Sequence, residues 1–171
     1  MNIRVGFGYD VHRLEEGKEF WLGGVRLEHD KGATGHSDAD TLIHAICDAL
    51  LGAANLRDIG FHFPNTDPRY KGIDSKKLLI QVVELLKTKG YLIGNIDATV
   101  CLEKPKINPR IPEMQRTLAA TMGVDPGAVS IKATTREKLG FVGREEGVEA
   151  HAVALIYKMT RLADDRGAAV V

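Results

Sequence analysis

The chain has 171 residues, of which 23 are Lys or Arg and 23 are Asp or Glu, so its formal net charge is zero. This length fits a single domain, and 44% apolar with 27% charged residues is ordinary for a globular protein. A neutral chain has no long-range attraction for nucleic acid or an anionic membrane, so we expect neither as a partner. The apolar runs are far shorter than the ~18 residues of a membrane span. The N-terminus resembles no leader peptide, which favours a cytoplasmic protein.

In chain order, hydrophobic periodicity predicts strands and helices that alternate irregularly. The predicted elements are a strand at 3–9, a hairpin pairing 20–22 with 25–27, a helix that starts at the motif 37–40 and carries an apolar stripe over residues 42–54, a helix at 75–89, a strand at 92–103, a helix at about 112–122, and strands at 129–134 and 148–159. This order predicts an α+β fold with a mixed sheet and helices packed on one face. Residues 1–160 form the predicted domain, and the aperiodic residues 161–171 are predicted to be a disordered tail.

Three local patterns accompany these predicted elements. Ile3, Val5, Phe7 and Tyr9 share one face of the first strand. Residues 37–40 resemble a capping box, with Ser37 at the start of the first helix. The two cysteines, Cys47 and Cys101, lie inside apolar segments and are read as buried reduced thiols, with a disulfide as the alternative.

Asp10, His12 and His44 form the first candidate site. Residues two apart on a strand point the same way, so Asp10 and His12 share a face, and His44 lies on the first predicted helix. Two imidazole nitrogens and a carboxylate oxygen with an open fourth position are typical of catalytic zinc. Asp40 and Asp48, four residues either side of His44, are candidates to orient the imidazoles. The alternative is a turn-capping aspartate and an interior histidine.

Three further stretches could bind phosphate. His36 and Ser37 precede a helix, where free N–H groups favour an anion, although Ser37 could simply cap the helix. Residues 132–144 carry two hydroxyls, one carboxylate and four cations, and Glu137 among them could hold a hard divalent ion; a solvated charged turn is the alternative. Residues 58–68 read as an ordered loop whose aromatic and acidic side chains suit either ligand contact or loop packing.

Taken together, these motifs resemble one enzyme family over residues 2–158. The shared motifs are residues 8–12, residues 36–40 with His44, residues 58–60, residues 63–68, and residues 132–135 through Arg144. In this order they are similar to the 2-C-methyl-D-erythritol 2,4-cyclodiphosphate synthases. The resemblance implies a homotrimer with active sites between subunits, in the non-mevalonate route to isoprenoid precursors.

The resemblance also implies roles for individual residues. Asp10, His12 and His44 match zinc ligands, Glu137 matches the ligand of a second ion (magnesium or manganese), and His36 and Thr135 match catalytic positions that stabilise the transition state. The remaining matched positions bind substrate: Ser37, Asp58, Ile59, Gly60, Phe63, Pro64, Asn65, Thr66, Asp67, Leu102, Glu103, Lys104, Pro105, Lys106, Ile107, Asn108, Thr134, Arg136, Phe141 and Arg144. Residues 102–108, with Thr134 and Thr135, correspond to the cytidine pocket. Arginines at the place of Arg144 can hold an isoprenoid diphosphate in a channel on the trimer axis.

The implied reaction converts 4-diphosphocytidyl-2-C-methyl-D-erythritol 2-phosphate to the cyclic diphosphate and CMP. The nucleophile is the substrate's own phosphate, which agrees with the lack of a recognisable Ser/His/Asp or Cys/His arrangement. A zinc-dependent phosphoesterase and a non-enzymatic module that binds a nucleotide or an isoprenoid diphosphate are the alternatives.

The chain departs from common family residues at five positions: Ala39, Asn65, Arg136, Glu145 and His151. Ala39 replaces a common glycine, which we expect to be harmless inside a helix. Glu145 and His151 bear mainly on the axial channel. None of the five is one of the metal ligands that the resemblance implies, which are Asp10, His12, His44 and Glu137.

Overall fold

A computed structural model describes residues 2–158 of the chain. The predicted tail, residues 161–171, lies outside the described residues, so the domain boundary at residue 160 stays a prediction. Within residues 2–158, no helix is both long enough and apolar enough to cross a membrane.

The described residues form seven strands and five helices. The strands are β1 (Asn2–Glu16), β2 (Phe20–Leu22), β3 (Val25–Leu27), β4 (Lys31–Thr34), β5 (Leu92–Cys101), β6 (Val129–Thr134) and β7 (Gly147–Lys158). The helices are α1 (Thr41–Ala53), α2 (Ile59–His62), α3 (Ser75–Thr88), α4 (Ile111–Met122) and α5 (Gly140–Gly143). Single 3-10 turns lie at residues 68–70, 108–110 and 126–128.

Five strands form a mixed sheet in the order β4-β1-β7-β5-β6. Strands β5 and β6 are parallel and are connected through α4, whereas the other neighbouring pairs are antiparallel. Strands β2 and β3 make the separate predicted hairpin. The predicted α+β class and mixed sheet are therefore confirmed.

Helix α1 is the centre of the core, with eleven of its thirteen residues buried. It packs against β1 and β7 on one side and against α3 on the other. Gly6 and Gly8 make this close packing feasible, because a Cβ at either would lie 2.0 Å from a backbone oxygen of α1, that of Ala49 or Ala45 respectively. Glycine at these positions lets the helix backbone approach the strand.

The other face of β1 is apolar and exposed. Its outward side chains are 41–64% exposed: Ile3, Val5, Phe7, Tyr9 and Val11. The prediction that the first four share a face is confirmed by their alternation with the buried Gly6 and Gly8. In the described chain this face carries no covering helix, and Val153 of β7 extends the exposed apolar area.

The start of α1 differs from the prediction. Asp40 is the cap of the helix, and Ser37 lies before it in a turn, where its Oγ accepts from the N–H of Ala39. Ala39 has a positive φ of 57° and is outside the helix, so the expectation of a harmless helical alanine is wrong. A left-handed backbone favours glycine, because a Cβ crowds the following carbonyl there.

Both cysteines are free and buried, as the sequence predicts. Strand β1 is longer than predicted and reaches Glu16 because β7 and then β4 pair with its second half. The apolar periodicity of residues 3–9 does not reveal that β7 and β4 pair with the residues that follow.

Candidate active site

The structure brings the three predicted metal ligands together at one point. Oδ2 of Asp10 lies 3.0 Å from Nε2 of His12 and 3.1 Å from Nδ1 of His44, and these two nitrogens are 3.2 Å apart. The three atoms therefore form a nearly equilateral triangle that is partly open to solvent.

The packing of α1 on β1 explains this meeting. Asp10 and His12 continue the same face of β1 that carries Gly6 and Gly8, so they point toward α1. His44 lies in the first turn of α1 and is the helix residue that faces them. The close contact between α1 and β1 at the two glycines thus sets the distance from His44 to Asp10 and His12.

Hydrogen bonds orient both imidazoles through their outward nitrogens. Nδ1 of His12 lies 2.9 Å from the carbonyl oxygen of Thr34. Nε2 of His44 lies 2.9 Å from Oγ of the fully buried Ser75 and 3.1 Å from Oγ of Ser37. Ser75 in turn donates to the carboxylate of Asp38.

Asp40 and Asp48 do not orient the imidazoles, so that prediction is wrong. Asp40 is buried and accepts from the N–H groups of Ile43, Gly23 and Gly24. Asp48 accepts from the N–H of Ile59 instead. Both carboxylates are used by backbone donors that sequence spacing on α1 cannot reveal.

The electrostatics of the triad favour a negatively charged Asp10. Burial by itself raises the pKa of Asp10, but hydrogen bonds from His12 and His44 outweigh it and lower the pKa to about 2. For His12, burial lowers the pKa, yet the hydrogen bond and charge of Asp10 leave it raised. The site attracts positive charge.

This donor set fits zinc. With bonds of about 2.0–2.1 Å, neighbouring ligands of a tetrahedral zinc are about 3.3–3.4 Å apart. The three observed separations of 3.0–3.2 Å are close to that ligand-to-ligand distance. Each imidazole also has an outward partner, as metal-bound histidines require.

Of the predicted diphosphate-binding residues, Ser37 is the one that contacts the triad. Ser37 contacts His44 directly, and Nε2 of His36 lies 3.2 Å from the carbonyl oxygen of Asp67. Asp58 caps the short helix α2, which contains Ile59 and Gly60. The intervening predicted residues, Phe63, Pro64, Asn65 and Thr66, form the turn between α2 and Asp67.

The predicted nucleotide residues form a second group at the end of β5 and β6. The N–H of Leu102 donates to the carbonyl of Thr134, and the N–H of Arg136 donates to the carboxylate of Glu103. The rest of this segment follows in one loop: Lys104, Pro105, Lys106, Ile107 and Asn108. Ile107 is buried, whereas Lys104, Lys106 and Asn108 are exposed.

Glu137 lies next to Thr135, whose hydroxyl donates to its carboxylate. Among residues 2–158, no group of three metal-ligating side chains includes Glu137. Within the described chain it therefore offers a single carboxylate.

Phe141 and Arg144 lie in and just after α5. Phe141 lines a cavity of about 630 Å³ that also contacts His12. Arg144 is paired with Glu146 at 3.0 Å. Glu145 has a positive φ of 58°, and its carboxylate lies 3.0 Å from Nζ of Lys104.

Strands β1 and β6 are not neighbours in the sheet. Strand register aligns Val11 with Glu149, Glu149 with Cys101, and Cys101 with Thr134, so β1 and β6 are three strand spacings apart. At about 4.8 Å per spacing this is about 14 Å. Strands β7 and β5 therefore lie between β1, which carries Asp10 and His12, and β6.

Sequence reasoning missed Ser75, Asp38 and the carbonyl of Thr34. The motif at 36–40 already contains Asp38, but nothing in spacing links it to Ser75, 37 positions away. A backbone carbonyl has no sequence signature, so Thr34 could not have been found.

The sequence of this chain matches one family of known proteins. A sequence model described as the YgbB family matches residues 3–157. Over 158 residues the chain is 66% identical to a Bacteroides thetaiotaomicron protein named 2-C-methyl-D-erythritol 2,4-cyclodiphosphate synthase, covering 92% of this chain and 99% of that protein.

Solved structures show the same fold. The bifunctional IspDF of Campylobacter jejuni matches with a TM-score of 0.89 and 38% identity, covering 92% of this chain but 43% of that one. A CDP complex of IspF from Plasmodium falciparum matches with a TM-score of 0.82 and 33% identity, covering 93% and 98% of the two chains.

Proposed function

Because the chain belongs to the YgbB family, we propose that it converts 4-diphosphocytidyl-2-C-methyl-D-erythritol 2-phosphate to 2-C-methyl-D-erythritol 2,4-cyclodiphosphate and CMP. The triangle of Asp10, His12 and His44 carries this proposal, since it is a three-ligand site with room for a substrate oxygen. The relatives named for this activity support it.

The reaction needs no side-chain nucleophile. An oxygen of the 2-phosphate forms a bond to the β-phosphorus, the bond from that phosphorus to the bridging oxygen breaks, and CMP leaves with that oxygen. The reacting groups are anions, so the protein must hold them close and in line. Zinc on the triad, when bound, supplies positive charge that offsets their repulsion.

The protein's own groups position the substrate. His36 and Ser37, at the edge of the triad, donate to the diphosphate, and the loop from Asp58 to Asp67 surrounds the methylerythritol unit. The hydroxyl of Thr135 donates to the carboxylate of Glu137. With magnesium or manganese bound, Glu137 would hold the ion and the hydroxyl of Thr135 would be free to donate to a phosphate oxygen. Residues 102–108 receive the cytidine, in keeping with the CDP complex of the Plasmodium falciparum relative.

A homotrimer completes the site. The exposed apolar face of β1 needs a cover, and a second copy of the chain can provide one. The backbones of β1 and β6 are about 14 Å apart in one chain, so a neighbouring subunit can place its nucleotide loop beside the triad. Each active site then lies between two subunits.

The same apolar face can line an axial channel that holds an isoprenoid diphosphate. Arg144 would bind the diphosphate, although it must first release Glu146, with which it is paired. Glu145 adds negative charge next to Arg144 and is itself paired with Lys104.

The decisive experiment is incubation of the zinc-loaded protein with the cytidylylated substrate in ¹⁸O-water, followed by phosphorus NMR and mass spectrometry. We expect CMP and a cyclic diphosphate without solvent oxygen. A phosphoesterase would release phosphate containing ¹⁸O, and a binding module would leave the substrate intact. Either result would overturn the proposal.

A further inference from the structure

A second cluster of metal-ligating side chains lies on the sheet face opposite to the triad. Cys101 of β5 and Glu149 of β7 are direct cross-strand partners. His151 follows Glu149 by two positions and therefore points to the same side. One ligand atom of each residue lies within 4.8 Å of the others.

The sheet separates this cluster from the triad. Glu149 is paired with Val11, whose side chain is on the exposed face of β1, whereas Asp10 and His12 point toward α1. No residue is shared between the two groups. An ion in one site cannot contact the ligands of the other.

The cluster is held in place by its neighbours. Cys101 is 6% and Glu149 is 7% exposed. The imidazole of His151 packs against the ring of Tyr9 at 5.0 Å between centroids, and the hydroxyl of Tyr9 donates to Oε1 of Glu149. Ligands that are ordered before binding lose little entropy when an ion arrives.

The charge of the donor set matches a dication. A thiolate and a carboxylate contribute two negative charges, and a neutral imidazole contributes none. Without an ion, Arg136 balances the negative charge of Glu149, because the guanidinium of Arg136 lies 2.6 Å from Oε2 of Glu149. Burial raises the pKa of the Cys101 thiol, so an ion must displace the thiol proton as well as compete with Arg136.

We propose that Cys101, Glu149 and His151 form a second metal site, which takes a borderline-soft divalent cation such as zinc or cobalt. Sulfur and nitrogen ligands select these ions over magnesium, manganese and calcium, which prefer oxygen. The ligand atoms already lie within 4.8 Å of one another, so a bound ion would draw them together toward the edge length of a tetrahedral site. The proposal is independent of the synthase activity.

Cobalt distinguishes the two sites, because only the second contains sulfur. The full-length protein is stripped of metal with a chelator, reduced with a phosphine, and titrated with Co²⁺ under anaerobic conditions. We expect a thiolate-to-cobalt charge-transfer band in the near ultraviolet that saturates by two equivalents per chain, because the triad also takes cobalt but gives no such band. It should persist in His44→Ala, which damages only the triad.

Matched variants identify the ligands. Cys101→Ser and His151→Ala should each abolish the band, whereas Cys47→Ala, which removes the other buried thiol, should keep it. Arg136→Gln should lower the apparent Kd for Co²⁺ several-fold by removing the competing cation.

Circular dichroism checks folding, and His151→Ala serves as the second test if Cys101→Ser does not fold. Absence of the band in the unmodified protein, or its retention in the folded His151→Ala variant, would overturn the proposal.

Discussion

Ser75 acts on the triad through a single hydroxyl, which links His44 to Asp38. We predict that Ser75→Ala lowers zinc affinity by about 10–100-fold, the usual effect of removing such a partner. Zinc competition with a chelator measures this effect. Ser130→Ala, which removes an exposed serine on β6, is the control and should leave affinity unchanged. Equal affinities in the two variants would contradict the assigned role of Ser75.

His44 is the proposed metal ligand that α1 contributes to the triad. Removing it leaves two ligands, so we expect His44→Ala to lose most bound zinc and most turnover. Atomic absorption gives the zinc content per chain, and CMP release gives the rate. A variant with full zinc content and a nearly normal rate would show that His44 is not a ligand.

Lys106 is exposed in the proposed nucleotide loop, where its ammonium can pair with a phosphate. We predict that Lys106→Ala weakens CDP binding by roughly tenfold, about 1.4 kcal/mol, and slows turnover less. Isothermal titration with CDP measures the affinity, with the exposed Lys77→Ala of α3 as the control. Unchanged CDP affinity in Lys106→Ala would refute this role.

For individual residues, the sequence predicted the three members of the triad but not the groups that orient its histidines. Asp10 and His12 are recognisable because strand alternation places them on one face, and His44 because a polar residue interrupts an apolar helix. The partners of these histidines are a backbone carbonyl and a serine 31 positions from His44. Contacts of this kind exist only once α3 is packed against α1.

The contact between β1 and α1 is the element on which the site depends. A methyl group at Gly8 would lie 2.0 Å from the carbonyl oxygen of Ala45, so the helix must move. We predict that Gly8→Ala lowers the free energy of unfolding by roughly 1–3 kcal/mol and also weakens zinc binding. Thermal unfolding with and without zinc tests both effects.

Gly52 provides the matched comparison, because it lies in α1 and a methyl group there would meet nothing nearer than 3.9 Å. Gly52→Ala should raise the free energy of unfolding by about 0.5–1 kcal/mol through helix propensity. If both alanine variants shifted stability in the same direction, close approach would not be the reason for glycine at position 8.

The elements themselves were largely predictable. Residues 129–134 and the hairpin at 20–27 match the predicted strands, because their apolar alternation is regular. The start of α1 was misread, since both Ser37 and Asp40 can cap a helix, and tertiary bonds from Gly23 and Gly24 to Asp40 favour the second. Local sequence does not contain that information.

For the whole molecule, the exposed face of β1 predicts association. Phe7 is 63% exposed at the middle of this face, so Phe7→Lys should place a charge in the proposed trimer interface and convert trimer to monomer. Light scattering after gel filtration measures the mass. Ile80→Lys is the control, because Ile80 is exposed on α3 and should leave the trimer intact. A trimeric Phe7→Lys protein would place the interface elsewhere.

The position of β7 in the middle of the sheet has a consequence for synthesis on the ribosome. Residues 147–158 are translated after every other described element, yet they separate β1 from β5. Until they emerge, the strand that carries Asp10 and His12 has no central neighbour, and α1 has only part of the surface it will cover. We therefore expect nascent chains that stop before residue 147 to remain sensitive to protease and unable to retain an ion, because such distant pairing forms late.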